Sequence, residues 1–278
     1  MKDYLTFEVD TADPKLISVI DELPLWSAPF GLRLLEQVEY KKNIKLLDLG
    51  CGLGFPLIEL SQRFDKESRL YGIDPWNGAL DRIRLKLKVY DIKNVTLLNE
   101  TAEYMPFEDN YFDLIVSNNG INNVQDLSKT LKECQRVSKP GAQFIFTMNT
   151  EGSMIEFYSV FENVLAEYNL ENEIIEMKKQ IYSKRKPVQE MGEKVEAAGF
   201  HIEKVINDSF ELIFVDGTAM FNHYVIRYWF MDGWKKILTK NDLIKVFDKV
   251  ELILNEQAEQ KGKLSLTIPF VTFNCRKK

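Results

Sequence analysis

Residues 45–55 read KLLDLGCGLGF. An apolar run leads into three glycines spaced two residues apart, Gly50, Gly52 and Gly54, and a helical pattern follows. Glycine is required where the backbone takes a positive φ or where a ligand approaches the main chain closely. The dinucleotide-binding pattern G-x-G-x-x-G would need a third glycine where Phe55 stands, and the lysine of a phosphate-binding loop is absent. The segment therefore predicts a turn of the nucleotide-binding type that lacks the residues needed to bind a phosphate.

Short apolar runs alternate with helical patterns on both sides of this turn. The predicted buried strands are residues 45–49, 70–73, 95–98, 112–116 and 143–148, and the helices between them are residues 56–64, 77–90 and 126–137. Strands buried on both faces lose the period-two alternation of apolar residues, as these runs do. Repeated strand–helix–strand units predict a parallel sheet with helices on both faces.

A carboxylate ends the second predicted strand. Asp74 follows Gly50 by 24 residues, and an acidic residue about 20 positions after such a turn can accept hydrogen bonds from both ribose hydroxyls. Three further motifs follow in order: TAEYMPF at 101–107, SNNG at 117–120 and ECQRVSKPG at 133–141. Their order and spacing are more specific than the glycine turn alone.

With these motifs the chain resembles the class I S-adenosylmethionine-dependent methyltransferases over about residues 26–149. The residues that carry the resemblance are LLDLGCGLG at 46–54, YGIDPW at 71–76, AEYMPFEDNYFDLIVSNN at 102–119 and ExxRVxKPG at 133–141. The cofactor half is most similar to the ubiquinone and menaquinone methyltransferase branch. The resemblance implies a Rossmann-like α/β fold. Its mostly parallel seven-stranded sheet would have the order 3-2-1-4-5-7-6, with helices on both faces, N-terminal helices and a C-terminal helical insert.

We predict one methyltransferase domain over residues 1–278. Residues 1–43 would be a helical cap with helices at 15–23 and 30–38, interrupted by Pro24 and Pro29. Residues 44–149 would be the cofactor-binding core. Residues 150–278 would add the last two strands, 201–215 and 264–273, and helices at 154–180 (broken near Asn169), 188–198, 218–238 and 242–261.

The resemblance also implies which residues hold S-adenosylmethionine. The glycines would admit the methionyl and ribose parts, Asp48 would anchor the turn and the ammonium group, and Asp74 would hold the ribose. The full predicted set is Asp48, Gly50, Cys51, Gly52, Gly54, Asp74, Pro75, Trp76, Thr101, Ala102, Glu103 and Asn118. The chain departs from the family at Thr101, where an aspartate is common.

The acceptor would lie above the carboxyl ends of the strands. The predicted acceptor residues are Trp26, Asn119, Asn122, His223 and Tyr224. The asparagines could bind a polar acceptor or be ordinary turn residues. The aromatic segment 218–238 could form a lid or pack in the core against residues 242–261. A sulfonium is already a strong electrophile, so no catalytic residue is required; His223 could be a general base or a packed histidine.

Composition limits the other functions. The 278 residues include 36 Lys and Arg against 42 Asp and Glu, a net charge of −6 that disfavours a nucleic-acid partner. No signal peptide or membrane-spanning run is evident, the three cysteines are widely spaced, and two histidines exclude a His-rich metal site. We therefore expect a cytoplasmic, metal-independent protein without a membrane partner. The basic run Lys178, Lys179, Lys184, Arg185 and Lys186 is interpreted as a solvated helix end and loop.

The predicted function is methyl transfer to an O, N or C atom of a small molecule. The fourth-strand motif has no Pro-Pro box of adenine methyltransferases, no carboxylates for a metal and no cysteine nucleophile. One alternative is a methyltransferase that acts on protein or RNA. Another is a non-catalytic module that binds S-adenosylmethionine, and a third, a nicotinamide oxidoreductase, is disfavoured by Phe55.

Overall fold

The computed structural model describes residues 2–21 and 25–278. The chain forms two compact units. The helical unit consists of Met1–Asp10, Thr150–Lys186 and Ser209–Pro269, and the sheet unit consists of Thr11–Asn149, Pro187–Asp208 and Phe270–Lys278. The expected single domain over residues 1–278, with its cap, core and additions, stays a prediction.

Seven strands form one sheet in the order β3-β2-β1-β4-β5-β7-β6. The strands are β1 (Lys45–Leu49), β2 (Arg69–Ile73), β3 (Val95–Leu98), β4 (Phe112–Asn118), β5 (Ser138–Asn149), β6 (Phe200–Phe214) and β7 (Leu264–Lys277). Strands β1 to β5 pair in parallel, whereas β7 runs antiparallel to β5 with Phe146 opposite Phe273. The expected Rossmann-like fold, strand order and antiparallel last strand are confirmed.

The helices follow the strands of the sheet and continue after it. In chain order they are α1 (Asp3–Thr6), α2 (Pro14–Asp21), α3 (Ala28–Gln37), α4 (Leu57–Arg63), α5 (Asn77–Val89), α6 (Leu127–Val137), α7 (Ile155–Glu167), α8 (Glu171–Lys184), α9 (Val188–Ala197), α10 (Gly217–Asn222), α11 (Met231–Lys235) and α12 (Lys240–Lys261). A 3₁₀ turn covers Ile121–Asn123 and a π-helix covers Ile226–Phe230. Most predicted helices are confirmed to within a few residues.

The central strands are buried on both faces. Leu46 and Leu47 of β1 and Leu114 and Ile115 of β4 are all at most 2% exposed. Neighbouring side chains of one strand point to opposite faces, so both faces of the sheet are covered. This burial explains why the sequence shows continuous apolar runs here instead of an alternating pattern.

The N-terminal prediction needs one correction. Pro29 was expected to interrupt the chain, but it lies in the first turn of α3. Proline is tolerated at this place because the first helical N–H groups have no partner within the helix. The expected break at Pro24 and the end of the first helix at residue 23 lie outside the described residues.

Two helix ends in the later chain follow the sequence signals. The predicted helix 154–180 is divided into α7 and α8, and Asn169 between them has φ 57°. Helix α9 is followed by Gly199 with φ 99°. Both residue types adopt the left-handed conformation more readily than others, which ends a helix.

A continuous helix over 218–238 is wrong. Helix α10 ends at Asn222, the backbone of His223 after it is extended, and the chain continues as the π-helix and then as α11. Aromatic and β-branched residues, abundant from His223 to Phe230, have only modest helix propensity. Packing decides the backbone instead, because Phe221 and Trp234 are buried beside Phe157, with the Phe157 and Trp234 rings stacked at 3.9 Å.

Candidate cofactor site

The glycine turn is fastened to the end of β2. The backbone N–H groups of Gly50 and Cys51 donate to the Ile73 carbonyl at 2.9 and 3.2 Å. Gly50, Gly52 and Gly54 have φ values of 74°, 48° and 103°. This left-handed backbone accounts for the choice of glycine at all three positions.

The Asp74 carboxylate at the end of β2 receives two backbone hydrogen bonds. The N–H of Gly52 donates to Oδ2 and the N–H of Trp76 donates to Oδ1, each at 2.8 Å. Burial raises the pKa of Asp74, and the two amides oppose this shift. Each carboxylate oxygen can still accept a further hydrogen bond. Asp74 therefore both shapes the glycine turn and keeps acceptor capacity for a ligand hydroxyl.

The space in front of Gly52 is open. A Cβ atom at this residue would meet no atom of residues 2–21 and 25–278 within 4 Å, apart from its chain neighbours. At Gly54, by contrast, a Cβ would lie 3.0 Å from the Ile58 side chain and 3.2 Å from that of Ile83. Gly54 thus serves packing of the turn onto its helices, while Gly52 leaves room for a ligand beside the backbone.

The Asp48 carboxyl is the unsatisfied group of the site. It lies in β1 and is wholly buried, and neither oxygen has a hydrogen-bond partner of good geometry within residues 2–21 and 25–278. Burial, and secondly the charge of Asp74, raises the pKa of Asp48 to about 8, and the Leu57 amide opposes this shift. Leaving a buried acceptor without a partner costs free energy. The group therefore suits a ligand that brings a cation or hydrogen-bond donors.

The residues expected near the adenine have partners within the protein. Pro75 is exposed, and the half-buried Trp76 donates its indole N–H to the Thr11 carbonyl at 2.8 Å. Glu103 Oε1 accepts from the N–H groups of Gln125 and Asp126 at 2.7 and 3.0 Å. Burial by itself would raise the pKa of Glu103, but the hydrogen bonds to its carboxylate outweigh burial and lower the pKa. The Glu103 carboxylate thus holds the backbone just before α6 through these two hydrogen bonds. Thr101, which is half-buried, and Ala102, which is buried, precede it in the chain.

Asn118 joins the end of β4 to the N-terminal part of the sheet unit. Its Nδ2 donates to the Ser27 carbonyl, and its Oδ1 accepts from the Thr147 hydroxyl, both at 3.0 Å. Trp26, just before Ser27, is half-buried with its ring 5.5 Å from that of Phe30. The structure thus brings Trp26 toward the end of β4 through the backbone of its neighbour.

Three asparagines form an amide cluster after β4 and β5. Asn122 Nδ2 donates to Asn119 Oδ1 at 2.9 Å and to Asn149 Oδ1 at 2.7 Å. Asn119 has φ 55°, as expected of a turn residue, and Asn122 Oδ1 is buried without a partner. Asn149 is not among the predicted site residues. Its place at the end of the strand beside β4 was the available signal.

Part of this chain matches a known family. Residues 47–146 match the model of the family described as "Methyltransferase domain". Residues 47–146 form a class I methyltransferase domain. The match contains Asp48, the glycine turn and Asp74, so the residues with the geometry described above lie inside the domain.

Relatives of the methyltransferase domain are about one-third identical. The chain is 32% identical over 120 residues to a demethylmenaquinone methyltransferase of Bacillus mycoides, which is 43% of this chain and 51% of that protein. It is 30% identical over 128 residues to the enzyme of the same name from Geobacillus stearothermophilus, 46% of this chain and 55% of the relative. The chain thus spans about half the length of the curated relatives it matches.

Solved structures share the fold of the methyltransferase domain and of the surrounding chain. A putative methyltransferase from Bacillus halodurans has a TM-score of 0.59 at 19% identity, covering 89% of this chain and 98% of that one. An S-adenosylmethionine-dependent methyltransferase from Aquifex aeolicus has a TM-score of 0.51 at 21% identity, covering 70% and 92%. These likenesses show the fold.

His223 and Tyr224 lie outside the methyltransferase domain, in the helical unit. His223 has its ring 5.2 Å from Phe214, its Nδ1 is buried without a partner, and burial lowers its pKa. The ring of the half-buried Tyr224 is 4.7 Å from that of His223. Their proposed role toward an acceptor stays a prediction.

Cys51 of the methyltransferase domain is a core residue. Its side chain is 1% exposed and packs against β2, where a Cβ at Gly72 would lie 2.9 Å from the sulfur. Burial raises the pKa of the Cys51 thiol well above its usual value. Any contact of Cys51 with a cofactor would therefore use its backbone.

A lysine that is not among the predicted site residues contacts the glycine turn. Lys86 of α5 donates to the Leu53 carbonyl at 2.6 Å and also pairs with Asp21 of α2. Arg82, one turn earlier, pairs with the same carboxylate at 2.6 Å. Asp21 and Lys86 are 65 residues apart, so no spacing rule in the sequence could connect them.

Within the described part of the chain, no helix combines the length and apolarity needed to cross a membrane. Residues 2–21 and 25–278 likewise contain no group of three or more His, Cys, Asp or Glu side chains that could hold a metal ion.

Proposed function

We propose that this protein is an enzyme that transfers a methyl group from S-adenosylmethionine to a small-molecule acceptor, without a metal. The observation that carries the proposal is the open glycine turn between the buried carboxyl group of Asp48 and the half-buried one of Asp74, inside the matched domain. When bound, S-adenosylmethionine supplies an activated methyl group, so the protein has mainly to bind, orient and desolvate the reactants.

The chemistry of the turn fits this cofactor. S-adenosylmethionine has an ammonium group, a ribose and no phosphate. The unpartnered Asp48 carboxyl suits the ammonium, and the remaining lone pairs of Asp74 suit the ribose hydroxyls. The turn itself offers no lysine or arginine side chain that a phosphate would require. The proposed contacts are those of the whole predicted set, with Cys51 acting through its backbone.

A small-molecule acceptor is supported by the names of the relatives, which are demethylmenaquinone methyltransferases. The match to the family model covers residues 47–146 only, and the relatives cover less than half of this chain, so the acceptor residues are proposed from the chain itself. Trp26, Asn119 and Asn122 are proposed acceptor residues, and the buried Asn122 Oδ1 is an acceptor for a polar hydrogen. Tyr224 is proposed to position the acceptor. His223, kept neutral by burial, is proposed as the general base if the acceptor must lose a proton.

Calorimetric titration with S-adenosylmethionine, S-adenosylhomocysteine and NAD tests the proposal. We expect micromolar-range binding of the first two and none of NAD. Asp74→Ala should weaken S-adenosylmethionine binding at least about tenfold, because charge-assisted hydrogen bonds to the ribose are lost. Asp81→Ala is the matched control, since it removes a carboxylate from the exposed face of α5 seven residues later. Equal affinities of the two variants would remove Asp74 from the site.

A further inference from the structure

The basic run of residues 178–186 contains one buried arginine. Lys178, Lys179 and Lys184 are exposed, as expected for a solvated helix end. Arg185, which follows α8, is only 4% exposed. The interpretation of the run as wholly solvated is therefore wrong at Arg185. The reason is tertiary: the chain turns back at this residue and carries the side chain against α7 and the π-helix.

One nitrogen of the Arg185 guanidinium is buried without an acceptor. Within residues 2–21 and 25–278, Nη1 makes no hydrogen bond and no carboxylate forms an ion pair with the guanidinium. Its neighbours are aromatic: the guanidinium carbon lies 5.2 Å from the centre of the Tyr158 ring and 5.9 Å from that of Phe230. Ring faces attract a cation, but they leave the N–H groups in the guanidinium plane without acceptors.

A second arginine of the helical unit, the half-buried Arg227, also has a buried N–H group without a partner among the described residues. Arg227 lies within the π-helix that Phe230 ends, and its guanidinium carbon is 4.3 Å from the centre of the Phe7 ring. The Arg227 Nε is buried without a partner. π-Helical turns occur frequently at functional sites.

The lack of carboxylates near these arginines contrasts with the composition of the chain. The protein has six more acidic than basic residues, so counter-ions are in excess. A buried charge without a partner is strongly destabilising, and folding normally places a carboxylate beside it. A guanidinium N–H group without an acceptor in the protein can donate a hydrogen bond to an anionic group of a ligand.

We propose that Arg185 binds the carboxylate of a small, otherwise apolar molecule. A guanidinium presents two parallel N–H groups that match the two oxygens of a carboxylate, and a single positive charge balances a single negative one. The Tyr158 and Phe230 rings would pack against the apolar part of the ligand. That this molecule is the methyl acceptor rests on the proposed function, whereas the anion site rests on the geometry of the helical unit alone.

The first test compares a carboxylate with its neutral counterpart. Calorimetry on the full chain with benzoate, benzamide and inorganic phosphate should give a dissociation constant for benzoate at least about tenfold lower than for benzamide, because the ionised acceptor makes the stronger hydrogen bonds. Phosphate should not bind measurably. Equal affinities for benzoate and benzamide, or binding of phosphate in place of benzoate, would overturn the assignment.

The second test uses matched variants of the same basic run. Arg185→Met should abolish the preference for benzoate, and without ligand its melting temperature should equal or exceed that of the unchanged protein because an uncompensated buried charge is removed. Lys179→Met removes an exposed charge and should leave benzoate binding unchanged. If Arg185→Met does not fold, Arg185→Lys retains the charge without the fork and should weaken benzoate at least about tenfold. Benzoate binding that is unaffected by these arginine substitutions contradicts the proposal.

S-adenosylmethionine titration of the same samples separates this proposal from the proposed function. Arg185→Met should bind S-adenosylmethionine as the unchanged protein does, since the residue lies outside the methyltransferase domain. Cofactor binding without a preference for benzoate overturns only the anion site. A benzoate preference without cofactor binding overturns only the methyltransferase proposal.

Discussion

The Asp48 carboxyl differs from other carboxylates of this protein in its burial and its hydrogen bonding. Structural carboxylates of this protein have partners: Glu103 accepts two backbone amides and Asp113 pairs with Lys139 at 2.7 Å. Asp48 is more deeply buried than either, and within the described chain it has no hydrogen-bond partner of good geometry. This difference is the reason for proposing that Asp48 binds a ligand.

The raised pKa of Asp48 gives a pH dependence of stability. An unfolded aspartate has a pKa near 4, about four units below that of folded Asp48, so the folded state holds a proton that the unfolded state releases. The stabilisation is present below about pH 4 and is lost as the pH rises to about 8. Without ligand, Asp48→Asn should therefore be more stable than the unchanged protein at pH 8 and nearly equal to it at pH 4. Urea unfolding at both pH values measures this, and a difference that is the same at both would contradict the pKa assignment.

At the scale of elements, helix α3 approaches the glycine turn through Gly31. A Cβ on Gly31 would collide with the Phe55 ring and lie 3.0 Å from Asn118 Nδ2. The same helix thus touches the residue after the glycine turn and the residue that ends β4. Glycine in this helix is explained by close approach, not by backbone conformation.

The Gly31 contact can be tested against another helical glycine. Gly31→Ala should destabilise the protein by about 1–3 kcal/mol, because the added methyl group overpacks the contact with Phe55. Gly192→Ala, in α9, is the control: its Cβ would lie 3.4 Å from Ile202, so the better helix propensity of alanine should stabilise by up to about 1 kcal/mol. Thermal unfolding measures both, and destabilisation by the control substitution as large as that at Gly31 would refute this account.

The segment from α10 to α11 combines core and partly exposed residues. Phe221 is wholly buried, with ring contacts to Tyr4 at 4.8 Å and to Phe247 at 5.7 Å. Tyr224 is only half-buried. The core interpretation therefore applies to Phe221 and Trp234, and the role of Tyr224 toward an acceptor stays a proposal.

Paired alanine substitutions separate these roles. Phe221→Ala should lower the free energy of unfolding by about 3–5 kcal/mol, since it leaves a cavity among aromatic rings. Tyr224→Ala should cost about 1 kcal/mol or less. Urea unfolding of the two variants measures the difference, and a loss at Tyr224 as large as that at Phe221 would place Tyr224 in the core and remove its proposed role.

In the molecule as a whole, the two units contain different candidate residues. The sheet unit contains the matched domain with Asp48, Asp74 and the glycine turn. The helical unit contains His223, Tyr224 and two arginines, Arg185 and Arg227, each with a buried N–H group that has no partner within the described residues. The match to the family model, residues 47–146, lies wholly in the sheet unit.

Hydrogen exchange measured by mass spectrometry should resolve the response of each unit. S-adenosylmethionine should slow exchange in peptides that contain residues 48–54 and 74–76, because a ligand in the turn suppresses local opening of the amides there. Peptides from α7 should change little. In Asp74→Ala the protection should disappear at the same cofactor concentration. Protection confined to the helical unit would contradict the placement of the cofactor.

The sheet and the glycine motif could be predicted from the amino-acid sequence. The strands β1 and β3 begin and end at the predicted residues, and the strand order follows the family that the motifs resemble. These features are local in sequence: apolar runs define strands, glycines define the turn, and Asp74 is a fixed distance from Gly50. Periodicity and turn chemistry act over a few residues and can be read directly.

Which polar groups lack partners depends on tertiary packing and could not be predicted from the sequence. Lys86 and Asp21 meet at Leu53, Asn149 joins the asparagine cluster, and Arg185 is buried within a run that looks solvated. Whether a charge is paired depends on residues tens of positions away, and the sequence does not specify those distances. For the same reason the segment 218–238 was predicted as one helix, although packing around Phe221 and Trp234 outweighs its local propensity.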